Sequence, residues 1–126
     1  MNARQIASIT SATNNAREAV RGLQNGQQQM VAGANNLANG RVAAANRNSV
    51  NATNQFGNAH RKANNVAQKL NALANQAPGK LNANIRTAAN AARKAAVEAG
   101  KANTAKALVH LVNVAQALGK VANTPM

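Results

Sequence analysis

The chain has 126 residues, with fifteen Lys and Arg, two acidic residues and no cysteine, and its formal charge at pH 7 is +13. The length excludes a second independent core, and the absence of cysteine excludes disulfides and thiolate metal sites. Alanine supplies 32 residues and Phe56 is the single Phe, Tyr or Trp. Each contact in such a core buries little apolar area, which is worth about 25 cal/mol per Å². We therefore expect neighbouring subunits or a bound partner to complete the burial.

The first predicted helix covers about residues 3–38. Apolar or small residues recur there at alternating spacings of three and four, the heptad pattern of a helix with one stripe facing a partner. The predicted stripe consists of Ile6, Ile9, Thr13, Ala16, Val20, Leu23, Gln27, Met30, Ala34 and Leu37. A glycine inside a helix costs about 1 kcal/mol relative to alanine. We therefore expect a bend or fraying between Gly22 and Gly33, and we interpret the glycines as sites where a neighbour packs closely.

The second predicted helix covers about residues 41–76. Its stripe consists of Val42, Ala45, Ser49, Ala52, Phe56, Ala59, Ala63, Val66, Leu70, Leu73 and Ala77. Asn39-Gly40 interrupts the pattern before it, and this dipeptide favours the left-handed conformation that ends a helix. The first two helices therefore form either an antiparallel hairpin or a continuous rod with a kink, and we expect the hairpin.

The second helix ends at Ala77-Pro78-Gly79, because proline disfavours a helical conformation in the residue before it. A third helix follows over about residues 80–99, with a stripe of Leu81, Ile85, Ala88, Ala92, Ala95 and Ala99. After Gly100, a last segment covers about residues 102–122, with an apolar face of Ala105, Leu108, Leu111, Val112, Ala115, Leu118 and Ala122. The sequence predicts one all-α domain of three long helices, or four if Gly100 divides the third, in a bundle or an extended assembly subunit.

The sequence carries no recognisable catalytic or metal-binding pattern. Glu18 and Glu98 lie eighty residues apart, and His60 and His110 lie fifty apart with no carboxylate cluster beside them. General acid–base catalysis needs groups positioned together, and zinc needs three or four ligands. We therefore predict a protein that is not an enzyme and has no cofactor or metal. We interpret His60 as part of a basic patch with Arg61 and Lys62, and His110 as a polar-face residue of the last helix.

The charge imbalance favours a polyanionic partner, because a polyanion relieves the self-repulsion of the cations. Basic residues recur at sevenfold spacing in the third helix and again in the second. The predicted phosphate contacts are Arg47, Arg61, Lys62, Lys69, Arg86, Arg93, Lys94 and Lys101. Such rows give salt-sensitive, sequence-independent binding, so double-stranded DNA is the expected ligand. A single Phe cannot build the stacking platform that single strands need.

An anionic membrane is the alternative partner. Lys106, His110 and Lys120 lie opposite an apolar face in the last helix, as in helices that lie at a membrane interface. That possible membrane or partner face consists of Leu108, Leu111, Val112, Leu118 and Val121. We favour packing of these residues in the core. We expect neither a signal peptide nor a membrane-spanning segment.

The stretch Arg41-Val-Ala-Ala-Ala-Asn-Arg-Asn-Ser-Val-Asn-Ala-Thr-Asn-Gln55, together with the Gln-rich run from Gln24 to Gln29, resembles the small internal virion, or ejection, proteins of short-tailed bacteriophages. The resemblance is one of composition over the first two thirds of the chain. It implies a largely helical protein that is packaged beside the DNA and expelled to help form a conduit through the host envelope.

The leading hypothesis is a structural virion protein that assembles with itself or with other virion proteins and contacts packaged DNA. The alternatives are a cytoplasmic, nucleoid-type protein that compacts DNA without sequence preference, and a membrane-active or conduit-forming helical subunit.

Overall fold

The computed structural model describes residues 3–77 and 79–123, without the side chains of residues 80, 122 and 123. These residues form four α-helices and no strand: α1 (Ala3–Ala38), α2 (Val42–Ala74), α3 (Gly79–Gly100) and α4 (Thr104–Asn123). Each helix packs against the next, and α4 also packs against α1, which gives an up-down bundle. The predicted all-α class is confirmed, and the third predicted helix is divided in two.

Two helix ends use the same backbone geometry. At the end of α1, the amide of Gly40 donates to the carbonyl of Leu37 at 3.0 Å, and that of Arg41 donates to Asn36 at 2.8 Å. Gly40 has a φ of +75°, so this is the left-handed termination expected from the Asn-Gly pair. The chain therefore makes a hairpin at this point. The end of α3 repeats the pattern with Ala102 in the left-handed position at a φ of +58°.

Helices α1 and α2 approach closely because α1 presents small residues to α2. The residues that α1 buries are Ala12, Ala16, Ala19, Gly22, Leu23 and Gly26. A Cβ atom at Gly22 would lie 3.0 Å from the carbonyl oxygen of Gln55 and 3.2 Å from the Cβ of Ala59. Close packing at the glycines is confirmed. The expected fraying is wrong, because α1 is helical without interruption from Gly22 to Gly33.

The predicted stripe of α1 is wrong over much of its length. Several of its members are exposed: Ile6, Gln27, Met30, Ala34 and Leu37. The buried stripe is displaced by about one residue, so that Ala12, Ala19 and Gly26 face the bundle in place of Thr13, Val20 and Gln27. Small side chains at these positions let the helix backbones approach and extend the contact between α1 and α2.

The predicted stripes of the other three helices agree with the buried faces to different extents. In α2 the predicted stripe is buried from Ala52 onward, whereas Val42 and Ser49 are exposed. The predicted stripe of α3 is buried throughout. In α4 the buried face is rotated from the predicted one, because Ala105, Val112 and Ala115 are exposed; the structure buries Ala107, Leu111, Val114, Ala117, Leu118 and Val121. Ala122, also predicted on that face, has a side chain outside the described residues.

The core stops before the end of the α1–α2 hairpin. The turn between α3 and α4 lies beside Phe56 and His60 of α2, and no residue from 27 to 51 is buried. We call residues 29–52, which extend beyond that turn, the arm. Asn48 holds the two helices of the arm together: its Nδ2 donates to Oε1 of Gln29, and its Oδ1 accepts from Nδ2 of Asn36, both at 2.8 Å.

Candidate nucleic-acid interface

The cations of the chain lie on its surface. Every Lys and Arg side chain that the structure describes is exposed, except Lys62, which is half-buried. Nζ of Lys62 lies 2.6 Å from Oε2 of Glu18, so this ion pair engages one of the two acidic side chains of the sequence. Because fifteen Lys and Arg face only two acidic residues in the sequence, most of the positive charge is exposed to solvent. A surface of this kind attracts polyanions and repels copies of itself.

Helices α3 and α4 form a polar groove on the side of α3 that faces away from α2. The groove has a volume of about 480 Å³ and is lined by Asn84, Thr87, Asn90, Ala91, Lys94, His110, Asn113, Gln116, Ala117 and Lys120. We call it the α3–α4 groove. Because the two helices are antiparallel, Lys94 and His110 share one end of the groove, and Asn84 and Lys120 share the other. Ten residues of α3 separate its ends, or about 15 Å at 1.5 Å per residue.

The donors of the α3–α4 groove suit phosphate oxygens. Lysine ammonium groups supply positive charge, and the amides of Asn and Gln donate hydrogen bonds, as phosphate-contacting side chains do in protein–DNA complexes. The groove is long enough to follow consecutive phosphates of one strand, which advance by about 3.4 Å each along the duplex axis. No carboxylate is among the described residues that line the groove, so a bound phosphate meets no acidic side chain from this part of the chain.

The structure disperses the four predicted contacts of α3. Lys94 lines the α3–α4 groove, while Arg93 is exposed outside it. Arg86 is held at the α2–α3 turn, where its Nε donates to Oδ1 of Asn82 at 3.0 Å and its Nη2 to Oδ1 of Asn75 at 3.2 Å. Lys101 lies beyond the end of α3, in the turn before α4. Arg86 and Arg93 therefore share one side of α3, whereas Lys94 lies on the side of the groove and Lys101 lies beyond the helix.

The four predicted contacts of α2 are also dispersed. Arg47 is exposed on the arm, and Lys69 lies at the other end of α2, where it lines a small depression together with Arg4 of α1. Arg61 donates through Nη2 to Oδ1 of Asn58. Lys62 is engaged by Glu18, as described above. The tertiary structure instead places two lysines, Lys94 and Lys120, at opposite ends of the α3–α4 groove.

Two further residues that line this groove, Lys120 and His110, are absent from the phosphate contacts predicted from the sequence. A signal for them was present, because the spacing of Asn84, Thr87, Ala91 and Lys94 is nearly that of His110, Asn113, Gln116 and Lys120. Two antiparallel helices with such spacing can place both polar rows along one groove.

His60 has a structural role, and its interpretation as part of a basic patch is corrected. The ring lies between α2 and α3, where its Nδ1 is 2.6 Å from the carbonyl oxygen of Ala96. Its Nε2 is 3.2 Å from Nδ2 of Asn64. Since a carbonyl can only accept, Nδ1 carries the proton and Nε2 accepts from Asn64. Among the described residues, no group of three His, Asp or Glu side chains is placed to share a metal ion.

The possible membrane or partner face of the last helix is divided by the fold. Leu111, Leu118 and Val121 are buried in the bundle. Leu108 is half-buried, and only Val112 is exposed. The face as a whole is therefore not available on the surface of the bundle. In the described part of the chain, no helix combines the length and the apolar character needed to cross a membrane.

Comparison of the chain with protein-family models, with curated proteins and with solved structures finds no match. Any functional proposal therefore depends on the chemistry of the surface and on the resemblance in composition given above.

Proposed function

We propose that this chain is a non-enzymatic structural protein that binds the phosphates of double-stranded DNA without sequence preference, with the α3–α4 groove as its principal contact. The observation that supports the proposal is the distribution of charge. The described Lys and Arg side chains lie on the surface, and the sequence has fifteen Lys and Arg against two acidic residues. Lys94 and Lys120 line a groove whose described lining includes no carboxylate.

The physical basis is the release of counterions. Each phosphate that a Lys or Arg neutralises frees a condensed cation, so the logarithm of the affinity falls linearly with the logarithm of the salt concentration, with a slope of about −0.9 per contact. Contacts with phosphates carry no sequence information. The same surface therefore binds any duplex, which suits a protein that packs against DNA.

The test is a salt titration of duplex binding, followed by fluorescence anisotropy, for the wild type and for the double variant Lys94→Gln/Lys120→Gln. We expect the variant to lower the magnitude of the slope by about 1.8, because it removes two phosphate contacts at about 0.9 each. The matched control is Arg17→Gln/Lys106→Gln, which removes the same charge from exposed positions outside the groove.

Binding that is undetectable at low salt would overturn the proposal. Equal changes of slope in the groove variant and the control would overturn the assignment of the groove and leave binding by dispersed charge. A larger change in the groove variant, at equal affinity for duplexes of different sequence, supports both parts.

For the location, we propose the virion, where the protein contacts packaged DNA. This part is supported by the resemblance of the stretch from Arg41 to Gln55 to internal virion proteins. A nucleoid-type protein would make the same phosphate contacts, so DNA binding does not separate the two. The genes beside the coding sequence do, since portal or tail genes support the virion and housekeeping genes contradict it.

A further inference from the structure

We infer that the arm is the contact surface for a second copy of this chain, and that two arms stack in antiparallel orientation to form a second four-helix bundle. The inference is independent of DNA binding and rests on an uncovered groove in the arm. The groove has a volume of about 460 Å³ and is lined by Gln29, Met30, Gly33, Ala34, Leu37, Ala45, Asn46, Ser49, Ala52, Thr53, Phe56 and Ala102.

This arm groove continues the face that α3 and α4 cover in the body of the bundle. Its lower end reaches Phe56, which is buried, and Ala102 of the α3–α4 turn. Above that turn, the apolar side chains of the same face are uncovered: Met30 is 48% exposed and Leu37 is 61% exposed. Met30 and Leu37 follow the buried Leu23 at sevenfold spacing, so they lie along the side of α1 that is buried in the body of the bundle. The arm is therefore half of a bundle that lacks its second pair of helices.

The charge of the arm groove favours a copy of this chain as its occupant. None of its lining residues is charged, although the chain carries +13. A polyanion or an acidic helix finds no cation in the groove to recognise. A second copy brings an equally uncharged groove, so that the two grooves bring no like charges together. The cations nearest the contact, Arg41 at the tip and Lys101 in the α3–α4 turn, lie at its two ends.

The geometry fixes the orientation. In a parallel pair, the α3–α4 hairpins of both copies would occupy the same space, because each continues the covered side of its own arm. In the antiparallel pair, each arm lies on the other arm and its tip reaches the α3–α4 turn of the second copy. The two-fold axis then passes near Ala34, midway between Met30 and Leu37, and α1 faces α1. The small side chains of Gly33 and Ala34 allow the two backbones to approach there.

The size of the arm sets the strength of the contact. Twelve residues of helix are about 18 Å long and two helices are about 20 Å wide, so each face covers about 360 Å². Both faces together fall below the area of about 1,200 Å² at which stable interfaces begin. We therefore expect a dimer that depends on concentration. It should strengthen with added salt, because salt screens the repulsion between two cationic bodies, whereas DNA binding weakens with salt.

The test is sedimentation velocity of the full chain from about 1 µM to about 1 mM, the range in which weak contacts are populated. The decisive variant is Met30→Asp, and its matched control is Val31→Asp. Both residues are exposed in α1, at 48% and 53%, but only Met30 lines the arm groove. We expect the wild type and Val31→Asp to dimerise alike, and Met30→Asp to remain monomeric at every concentration.

A second measurement tests the orientation. The chain has no cysteine, so Ala34→Cys introduces a single thiol close to the two-fold axis, and Val31→Cys introduces one outside the groove. We expect oxidation to link Ala34→Cys into a covalent dimer in much higher yield, because a disulfide requires Cα atoms within about 7 Å.

A wild type that stays monomeric at the highest concentration, or loss of the dimer in both aspartate variants, overturns the inference. Equal yields from the two cysteine variants overturn the antiparallel arrangement. A dimer that weakens with salt would show that charge pairing, and not the uncharged groove, holds the copies together.

Discussion

The close contact between α1 and α2 can be tested at Gly22. This residue is buried against α2, and a Cβ atom there would lie 3.0 Å from the carbonyl oxygen of Gln55, 3.2 Å from Cβ of Ala59 and 3.4 Å from the amide nitrogen of Ala59. Two of these three atoms belong to the backbone of α2, which cannot move aside as a flexible side chain can. Gly22→Ala must therefore separate the two helices by a few tenths of an ångström.

Two opposed effects set the magnitude. Alanine is a better helix former than glycine by about 1 kcal/mol, whereas overpacking a close contact costs about 1 to 3 kcal/mol. We expect Gly22→Ala to lower the free energy of unfolding by about 1 kcal/mol. Gly57 in α2 is the matched control, because it is exposed and a Cβ atom there meets nothing within 4 Å. Gly57→Ala should therefore raise the stability by about 1 kcal/mol.

Gly26 gives an intermediate case. A Cβ atom there would lie 2.7 Å from Cε1 of Phe56, which is closer than any contact at Gly22. The ring borders the arm groove, however, so it has space to shift. We expect the free energy of unfolding of Gly26→Ala to lie between those of Gly22→Ala and Gly57→Ala.

The assay is thermal and urea denaturation followed by helical circular dichroism. The free energies of unfolding of Gly22→Ala and Gly57→Ala should differ by about 2 kcal/mol, which corresponds to a difference of about 8 °C in Tm for a domain of this size. An increase in Tm at Gly22 equal to that at Gly57 would refute the reasoning, because it would mean that α1 and α2 are not in close contact at Gly22.

Two further substitutions test the arm and the α3–α4 turn. Asn48→Ala removes both hydrogen bonds that join the helices of the arm and should speed amide hydrogen exchange in residues 29–52, with a loss of about 1 to 2 kcal/mol. Asn51→Ala, at an exposed position of the same helix, should not do so, and equal exchange in both variants would contradict the role of Asn48. Ala102→Gly should raise the stability by about 1 kcal/mol, because it removes a non-glycine residue from the left-handed region. Ala105→Gly in the first turn of α4 should lower it by about 1 kcal/mol, and a loss of stability at both positions would contradict the strained turn.

The sequence alone determined the helical class and most of the helix boundaries. Asn39-Gly40 ends α1 through backbone hydrogen bonds that depend only on a residue with a positive φ at position 40, and α2 ends at Ala74, two residues before its predicted end. Helix α3 starts within one residue of its predicted start and ends within one residue of its predicted end. These features are local, so a reading of neighbouring residues finds them.

The sequence did not determine which face each helix buries. When alanine recurs all around a helix, several faces are almost equally apolar, and the choice depends on how closely the backbones can approach. Helix α1 therefore packs against α2 through Gly22 and Gly26, whereas Gln27 of the predicted stripe is exposed. Helix α4 buries Val114, whereas Val112 and Ala115 of the predicted face are exposed. The stripe of α3 was predicted correctly because Leu81 and Ile85 distinguish one face from the rest.

The candidate sites depend on the tertiary structure for a related reason. The sequence determined the excess of cations, which favours a polyanionic partner. Only the antiparallel packing of α3 and α4 places Lys94 and Lys120 in one groove. The number of residues between them in the sequence does not indicate how far apart they lie when the two helices pack side by side. Met30 and Leu37 of the predicted stripe are uncovered only because the α3–α4 hairpin is shorter than the α1–α2 hairpin. A heptad pattern does not indicate how far the helices that pack against it extend.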